Sequence, residues 1–219
     1  MRERSRYIVS MNKPSTAKRT QVVAALVEGN SIRATVRMTG VAKNTVVKLL
    51  VELGEACSRY EDATFHDLYC EHVEADEIWS FCYAKAKNVP EEHLGEFGFG
   101  DVWTSTAIDA DTKLVPSWMI GPRDLTTATA FMQDVVSRLH GRVQLTTGGR
   151  TMYLGAVEDA FGADVDYAML QKVYEVSPEA ERRYSPAERI GTSTQVIQGS
   201  LRTNTFQRPR SSARTSRFG

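Results

Sequence analysis

The chain has 219 residues, of which 42% are hydrophobic and 25% are charged, an ordinary composition for a globular protein. Lys and Arg together number 27, as do Asp and Glu, so the formal net charge is zero. This balance excludes a uniformly basic protein. No run of eighteen apolar residues occurs, which predicts that the chain has no membrane-spanning helix.

The charges are unevenly distributed along the chain. Residues 1–53 carry a net charge of +7, residues 54–180 carry −13 and residues 181–219 carry +6. A basic segment joined to an acidic body is typical of a protein that contacts nucleic acid through one part only. Three cysteines and an N-terminus without an apolar stretch predict a reduced, cytoplasmic protein with no secretory signal.

After a polar leader at residues 1–16, residues 17–56 predict a helix-turn-helix domain. The first helix ends at Gly29, and Ser31 is a good N-cap for a short second helix. Gly40 predicts a tight turn, and a third helix is expected over Lys43–Leu53. Helix, short helix, glycine turn and helix is the layout of this DNA-binding motif.

The exposed face of the third helix predicts contacts with DNA. It carries Lys43, Asn44, Thr45 and Lys48, which are residue types that reach base edges and phosphates in a major groove. Arg33 and Arg37 on the second helix are further candidates. The alternative is an ordinary three-helix bundle with solvated cations, but the charge of +7 and the glycine turn favour DNA binding.

Residues 57–71 are expected to form a linker, and the connecting segment from residue 54 is expected to be helical at first and irregular later. Residues 72–197 are expected to form an α/β domain. Trp79, Trp103 and Trp118 fall on three consecutive strands, where core packing is expected. The order β-β-β-α-β-α-β predicts a ribonuclease-H-like arrangement. We expect strands at 72–81, 100–111, 114–121, 142–147 and 165–174, the last being a strand or a strand-helix mixture, and helices at 126–141 and 152–161.

The final segment, residues 198–219, differs from the rest of the chain. It has five arginines, no acidic residue and no hydrophobic period. This composition predicts a disordered basic tail, and the simplest interpretation of such a tail is that it binds nucleic acid.

Four segments together resemble a transposase of the insertion-sequence-one family. They read EGNSIRATVRMTGVAKNTVVKLL, ADEIWSFCYAKAKN, GEFGFGDVWTSTAIDADTKLVPSW and RVQLTTGGRTMYLGAVEDAFG. The resemblance covers about residues 11–197, and the four segments occur in the family's order. It implies a bacterial enzyme that acts on double-stranded DNA at terminal inverted repeats. The resemblance also implies that the enzyme works as a homo-oligomer in the cytoplasm, at the nucleoid.

The resemblance also implies DDE chemistry on an incomplete ribonuclease-H-like domain. Three carboxylates would hold two divalent metals, usually Mg²⁺, because hard cations prefer oxygen ligands. One metal activates water or a 3′-hydroxyl, and the other stabilises the leaving oxygen of the phosphodiester. Asp76 matches the first carboxylate and is the expected catalytic and metal-binding residue.

The other two carboxylates do not match. Gly148 occupies the position of the second, and neither Glu158 and Asp159 nor the pair at Asp109 and Asp111 is placed to replace it. The third should lie on a later helix, but the chain leaves the family pattern near Gly199, and the residues after Gly199 resemble an out-of-frame translation. Two upstream residues do not match the missing motif: Glu181 and Glu188.

We therefore expect a transposase that cannot cut DNA. Two alternatives stay open: a repressor that occupies the terminal repeats, and a product with no function.

Overall fold

The computed structural model describes residues 14–96, 98–174 and 189–201. The chain divides into two compact units, with the boundary between Thr64 and Phe65. The first unit consists of helices, and the second contains a mixed sheet with two long helices. The expected combination of a helical part with an α/β part is therefore confirmed at this level.

Three helices form the first unit: α1 (Thr16–Val27), α2 (Ile32–Thr39) and α3 (Lys43–Thr64). The Ser31 side chain accepts a hydrogen bond from the backbone N–H of Ala34 at 3.2 Å, which satisfies an otherwise unpaired donor at the start of α2. Gly40 ends this helix in the left-handed conformation, with φ at 68°. The predicted cap and turn are therefore present.

The helical unit has a small apolar core. Val27, the last residue of α1, lies outside this core and is 77% exposed. The third helix continues beyond Leu53 through Gly54 to Thr64, so the first part of the expected linker, residues 57–71, is helical, as predicted. The core consists of Val22, Val41, Val46 and Leu49.

The second unit is built on a six-stranded sheet with the order β3-β2-β1-β4-β5-β6. The pairs β1–β2, β2–β3 and β5–β6 are antiparallel, whereas β1–β4 and β4–β5 are parallel. The elements are β1 (His72–Cys82), β2 (Gly100–Asp109), β3 (Ser117–Gly121), α4 (Leu125–Arg138), β4 (Val143–Gly148), α5 (Met152–Phe161), β5 (Val165–Tyr174) and β6 (Arg189–Gln198).

Two element boundaries and one whole strand in this unit differ from the sequence-based expectation. Strand β3 begins at Ser117 and not at Leu114, because the intervening residues belong to the turn in which the Asp109 N–H donates to the Leu114 carbonyl. Helix α4 ends at Arg138, before the glycine expected to stop it. Strand β6 was not predicted. Residues 1–13 of the expected leader and residues 202–219 of the expected tail lie outside the described residues.

Helices α4 and α5 pack against the sheet face that bears Val73 and Ala75. Because side chains alternate along a strand, Glu74 and Asp76 lie on the opposite face, and both are exposed. The expected core packing of the tryptophans is wrong for Trp79 and Trp118, whose exposures are 40% and 43%. The buried centre of the core consists of Phe131, Met132, Val135, Leu145, Tyr153, Val157, Val165 and Tyr167.

Candidate functional site

The helical unit exposes the side chains that were predicted to contact DNA. Val46 and Leu49 of α3 lie in the core, so the polar residues on the other face of this helix lie away from the core. Thr45 is half-buried. The exposed candidates are Arg33, Arg37, Lys43, Asn44 and Lys48.

A cavity of about 330 Å³ lies on this unit, and three of the predicted residues line it: Asn44, Thr45 and Lys48. Arg19 and Glu52 also line it, and sequence reasoning missed both. The Glu52 carboxylate lies 3.9 Å from Lys48 Nζ and 3.7 Å from Arg19 Nη2. The four-residue spacing of Lys48 and Glu52 on one helix is the signal that could have identified this contact.

In the α/β unit, Asp76 lies in the middle of β1, as the resemblance implies. It pairs with Thr106 of β2, and its Oδ1 accepts a hydrogen bond from the backbone N–H of Glu77 at 2.9 Å. The side chain is exposed to solvent. One oxygen ligand is therefore in place on this face of the sheet.

Gly148 lies directly beside Asp76. The parallel pairing of β1 with β4 places Ala75 opposite Thr147, so the next residue on each strand faces the same side. A Cβ atom placed on Gly148 would lie 3.3 Å from Oδ1 of Asp76. The position that the resemblance assigns to the second carboxylate is thus adjacent to the first, but it has no side chain.

The described residues do not fit the implied pair of metal ions. Within residues 14–96, 98–174 and 189–201, no group of three or more His, Cys, Asp or Glu side chains is placed to hold a metal. Asp109 is buried and accepts hydrogen bonds within its own turn, and Asp111 contacts His72 at 3.0 Å. Neither replaces the missing ligand. Glu181 and Glu188 lie outside the described residues.

A partly buried ion pair lies beside the same part of β1, on the helix-covered face of the sheet. The Glu77 side chain is 3% exposed, and its Oε2 accepts a hydrogen bond from Arg123 Nη2 at 2.6 Å. The guanidinium carbon of Arg123 lies 4.0 Å from the centre of the Trp103 ring, a cation–π contact. Sequence reasoning missed this pair, because 46 residues separate its members.

Tyr153 of α5 contributes a buried phenol to this cluster. Burial raises its pKa well above the ordinary value, and the charges of Glu77 and Asp76 raise that pKa further. The phenol therefore stays protonated at neutral pH. The side chains of Ser105 and Glu77 lie near its hydroxyl group. Its position beneath the sheet gives this cluster a structural role in supporting β1.

No protein-family model matches the chain, and no curated protein matches it in sequence. None of the described helices is both long enough and apolar enough to cross a membrane.

Proposed function

We propose that this chain is a transposase-derived protein that binds double-stranded DNA and does not cleave it. A helix-turn-helix domain would occupy the terminal inverted repeats of a bacterial insertion sequence. An incomplete ribonuclease-H-like domain would follow, self-associating as the family resemblance implies. The site of action would be the nucleoid in the bacterial cytoplasm.

The sheet topology supports the ribonuclease-H-like interpretation. The first three strands form an antiparallel meander, and β4 and β5 then extend the sheet in parallel to β1. This is the arrangement expected from the order of elements in the sequence. Fold alone does not assign a function, so the proposal rests on the site.

The observation that carries the proposal is the position of Gly148 beside Asp76. Phosphodiester cleavage by a two-metal mechanism needs several anionic oxygens to neutralise and orient the cations. A single exposed carboxylate with waters holds Mg²⁺ weakly. We therefore expect Mg²⁺ to be lost from this position and cleavage to be lost with it.

DNA binding depends on the helical unit. Lys43 and Lys48 supply charge for phosphate contacts, and Asn44 supplies the paired donor and acceptor that match the edge of adenine. Arg33 and Arg37 extend the positive surface along α2. The capped helix α2 and the buried core of this unit hold these side chains on a folded surface.

Binding is tested with labelled duplexes from the ends of the insertion sequence and with unrelated duplexes. The full chain should prefer the former at moderate salt. Replacing both Lys43 and Lys48 with Ala should weaken binding about tenfold or more and lower the salt slope by about one per lysine. Arg59→Ala, which removes a cation further along α3, is the matched control and should have a much smaller effect.

Cleavage is tested on the same duplexes with Mg²⁺ or Mn²⁺. We expect none from the native chain. Metal-dependent nicking or strand transfer that Asp76→Ala abolishes would overturn the proposal, whereas equal weak binding to every duplex would favour the non-functional alternative.

A further inference from the structure

Glu52 occupies an unusual position for an acidic residue on a DNA-binding surface. It lies on α3, one turn after Lys48, and its two carboxylate oxygens approach cations from two helices. Arg19 of α1 lies 3.7 Å from one oxygen, and Lys48 lies 3.9 Å from the other. All three side chains are at least half exposed, so the contacts can break without cost to the core.

The same three side chains line one cavity together with Asn44 and Thr45. A phosphate that approaches the two cations meets the Glu52 carboxylate at the same place. The carboxylate and the phosphate are both negatively charged, so they repel each other and compete for Arg19 and Lys48. The competition is strongest where phosphate contacts supply nearly all of the binding energy, which is the case for non-specific DNA.

We propose that Glu52 is a specificity determinant that suppresses non-specific DNA binding by neutralising Arg19 and Lys48 in the free protein. This inference rests on the proposed DNA-binding function. On a cognate duplex, base contacts from α3 add to the binding energy and offset the loss of the Glu52 contacts. On other duplexes no such contacts form, so the carboxylate continues to oppose phosphate binding.

A purely structural bridge between α1 and α3 predicts the opposite result. If Glu52 only holds the two helices together, its replacement loosens the surface and weakens binding to every duplex. The direction of the change in affinity therefore separates the two roles.

The experiment compares the full-length native chain with Glu52→Gln and Glu55→Gln on a mixed-sequence duplex and on duplexes from the ends of the insertion sequence, using fluorescence anisotropy. Glu55→Gln is the matched control, because it removes the same charge from the same helix, one turn further on. Glu55 has no ion pair within the described residues. Circular dichroism confirms that each variant is folded.

We expect Glu52→Gln to raise non-specific affinity about three- to tenfold. The slope of log K against log salt, measured from about 50 to about 200 mM, should steepen by about one to two, because each freed cation can neutralise a phosphate. Glu55→Gln should change both quantities much less. An affinity that falls in Glu52→Gln, or one that matches Glu55→Gln, overturns the role of Glu52. Failure of all three proteins to bind any duplex overturns the proposed function itself.

Discussion

At the centre of the α/β unit, one carboxylate stands where the family resemblance implies two. Asp76 and Gly148 lie side by side on parallel strands, so the sheet retains the geometry of a paired site although the second ligand is missing. The backbone of Gly148 does not adopt a positive φ. A side chain at this position is therefore limited by the space beside Asp76 and not by backbone strain.

Replacing Gly148 with Asp should create a divalent-cation site. Without a divalent cation, two adjacent carboxylates repel each other, which should destabilise the unit by about 1 kcal/mol. Added Mg²⁺ or Mn²⁺ should stabilise the variant by about 1–3 kcal/mol through binding to the folded state only. The measurement is thermal unfolding with and without the divalent cation at matched ionic strength.

Two comparisons isolate the effect of the new carboxylate. Gly148→Asn adds nearly the same volume without charge and should not respond to Mg²⁺. Gly148→Asp combined with Asp76→Asn should lose most of the response. A native chain stabilised by Mg²⁺ as strongly as the Gly148→Asp variant would contradict the assignment of Gly148 as the missing ligand position.

The buried pair of Glu77 and Arg123 predicts a strongly asymmetric mutational effect. Glu77→Leu leaves the Arg123 charge, which is 24% exposed, without its partner and should cost about 1–3 kcal/mol of unfolding free energy. Adding Arg123→Met to that variant should recover part of the loss. Urea unfolding followed by tryptophan fluorescence reports on this unit alone, because Trp79, Trp103 and Trp118 all lie in it. Strictly additive losses would show that the two side chains are not energetically coupled.

At the scale of single elements, two glycines of the helical unit predict opposite responses to the same substitution. Gly54 lies inside α3 with no atom near its potential Cβ, so Gly54→Ala should stabilise the helix by about 0.5–1 kcal/mol. Gly40 has a φ of 68° at the end of α2, so Gly40→Ala should destabilise by about 1–2 kcal/mol. Thermal unfolding followed at 222 nm measures both. If both substitutions changed the stability in the same direction, the assigned backbone conformations would be contradicted.

The elements that sequence reasoning located well are those with a local physical signal. Ser31 and Gly40 bound α2 because a hydroxyl cap and a left-handed glycine act on their immediate neighbours. Strand β6 was missed because its polar Thr, Ser and Gln residues give no hydrophobic alternation. The helical first part of the connector after Leu53 was predicted correctly, because Gly54 weakens a helix without ending it.

In the candidate site, too, sequence reasoning located only features that have a local signal. The position of Asp76 on β1 could be predicted, because a strand and a matching motif coincide in the sequence. The pairs Glu77 with Arg123 and Arg19 with Glu52 could not, because tertiary packing brings together residues that are distant in the chain. Local patterns carry no information about such contacts.

At the scale of the whole molecule, the uneven charge predicts self-association that depends on salt. The net charge is zero at pH 7, so no overall repulsion keeps copies apart, whereas residues 1–53 carry +7 and residues 54–180 carry −13. Opposite segments of different copies should therefore attract each other at low ionic strength. Light scattering should show large particles near pH 7 in low salt that dissociate as the Debye length falls to about 8 Å near 0.15 M salt.

A homo-oligomer of the kind that the family resemblance implies would behave differently. An interface formed by apolar packing is insensitive to salt screening, so the mass of the oligomer should stay the same at high salt. Scattering measured across salt at pH 7 and again at pH 9, where the net charge is more negative, separates the two kinds of association. Particles that grow with added salt would contradict the electrostatic explanation, because screening can only weaken attraction between opposite charges.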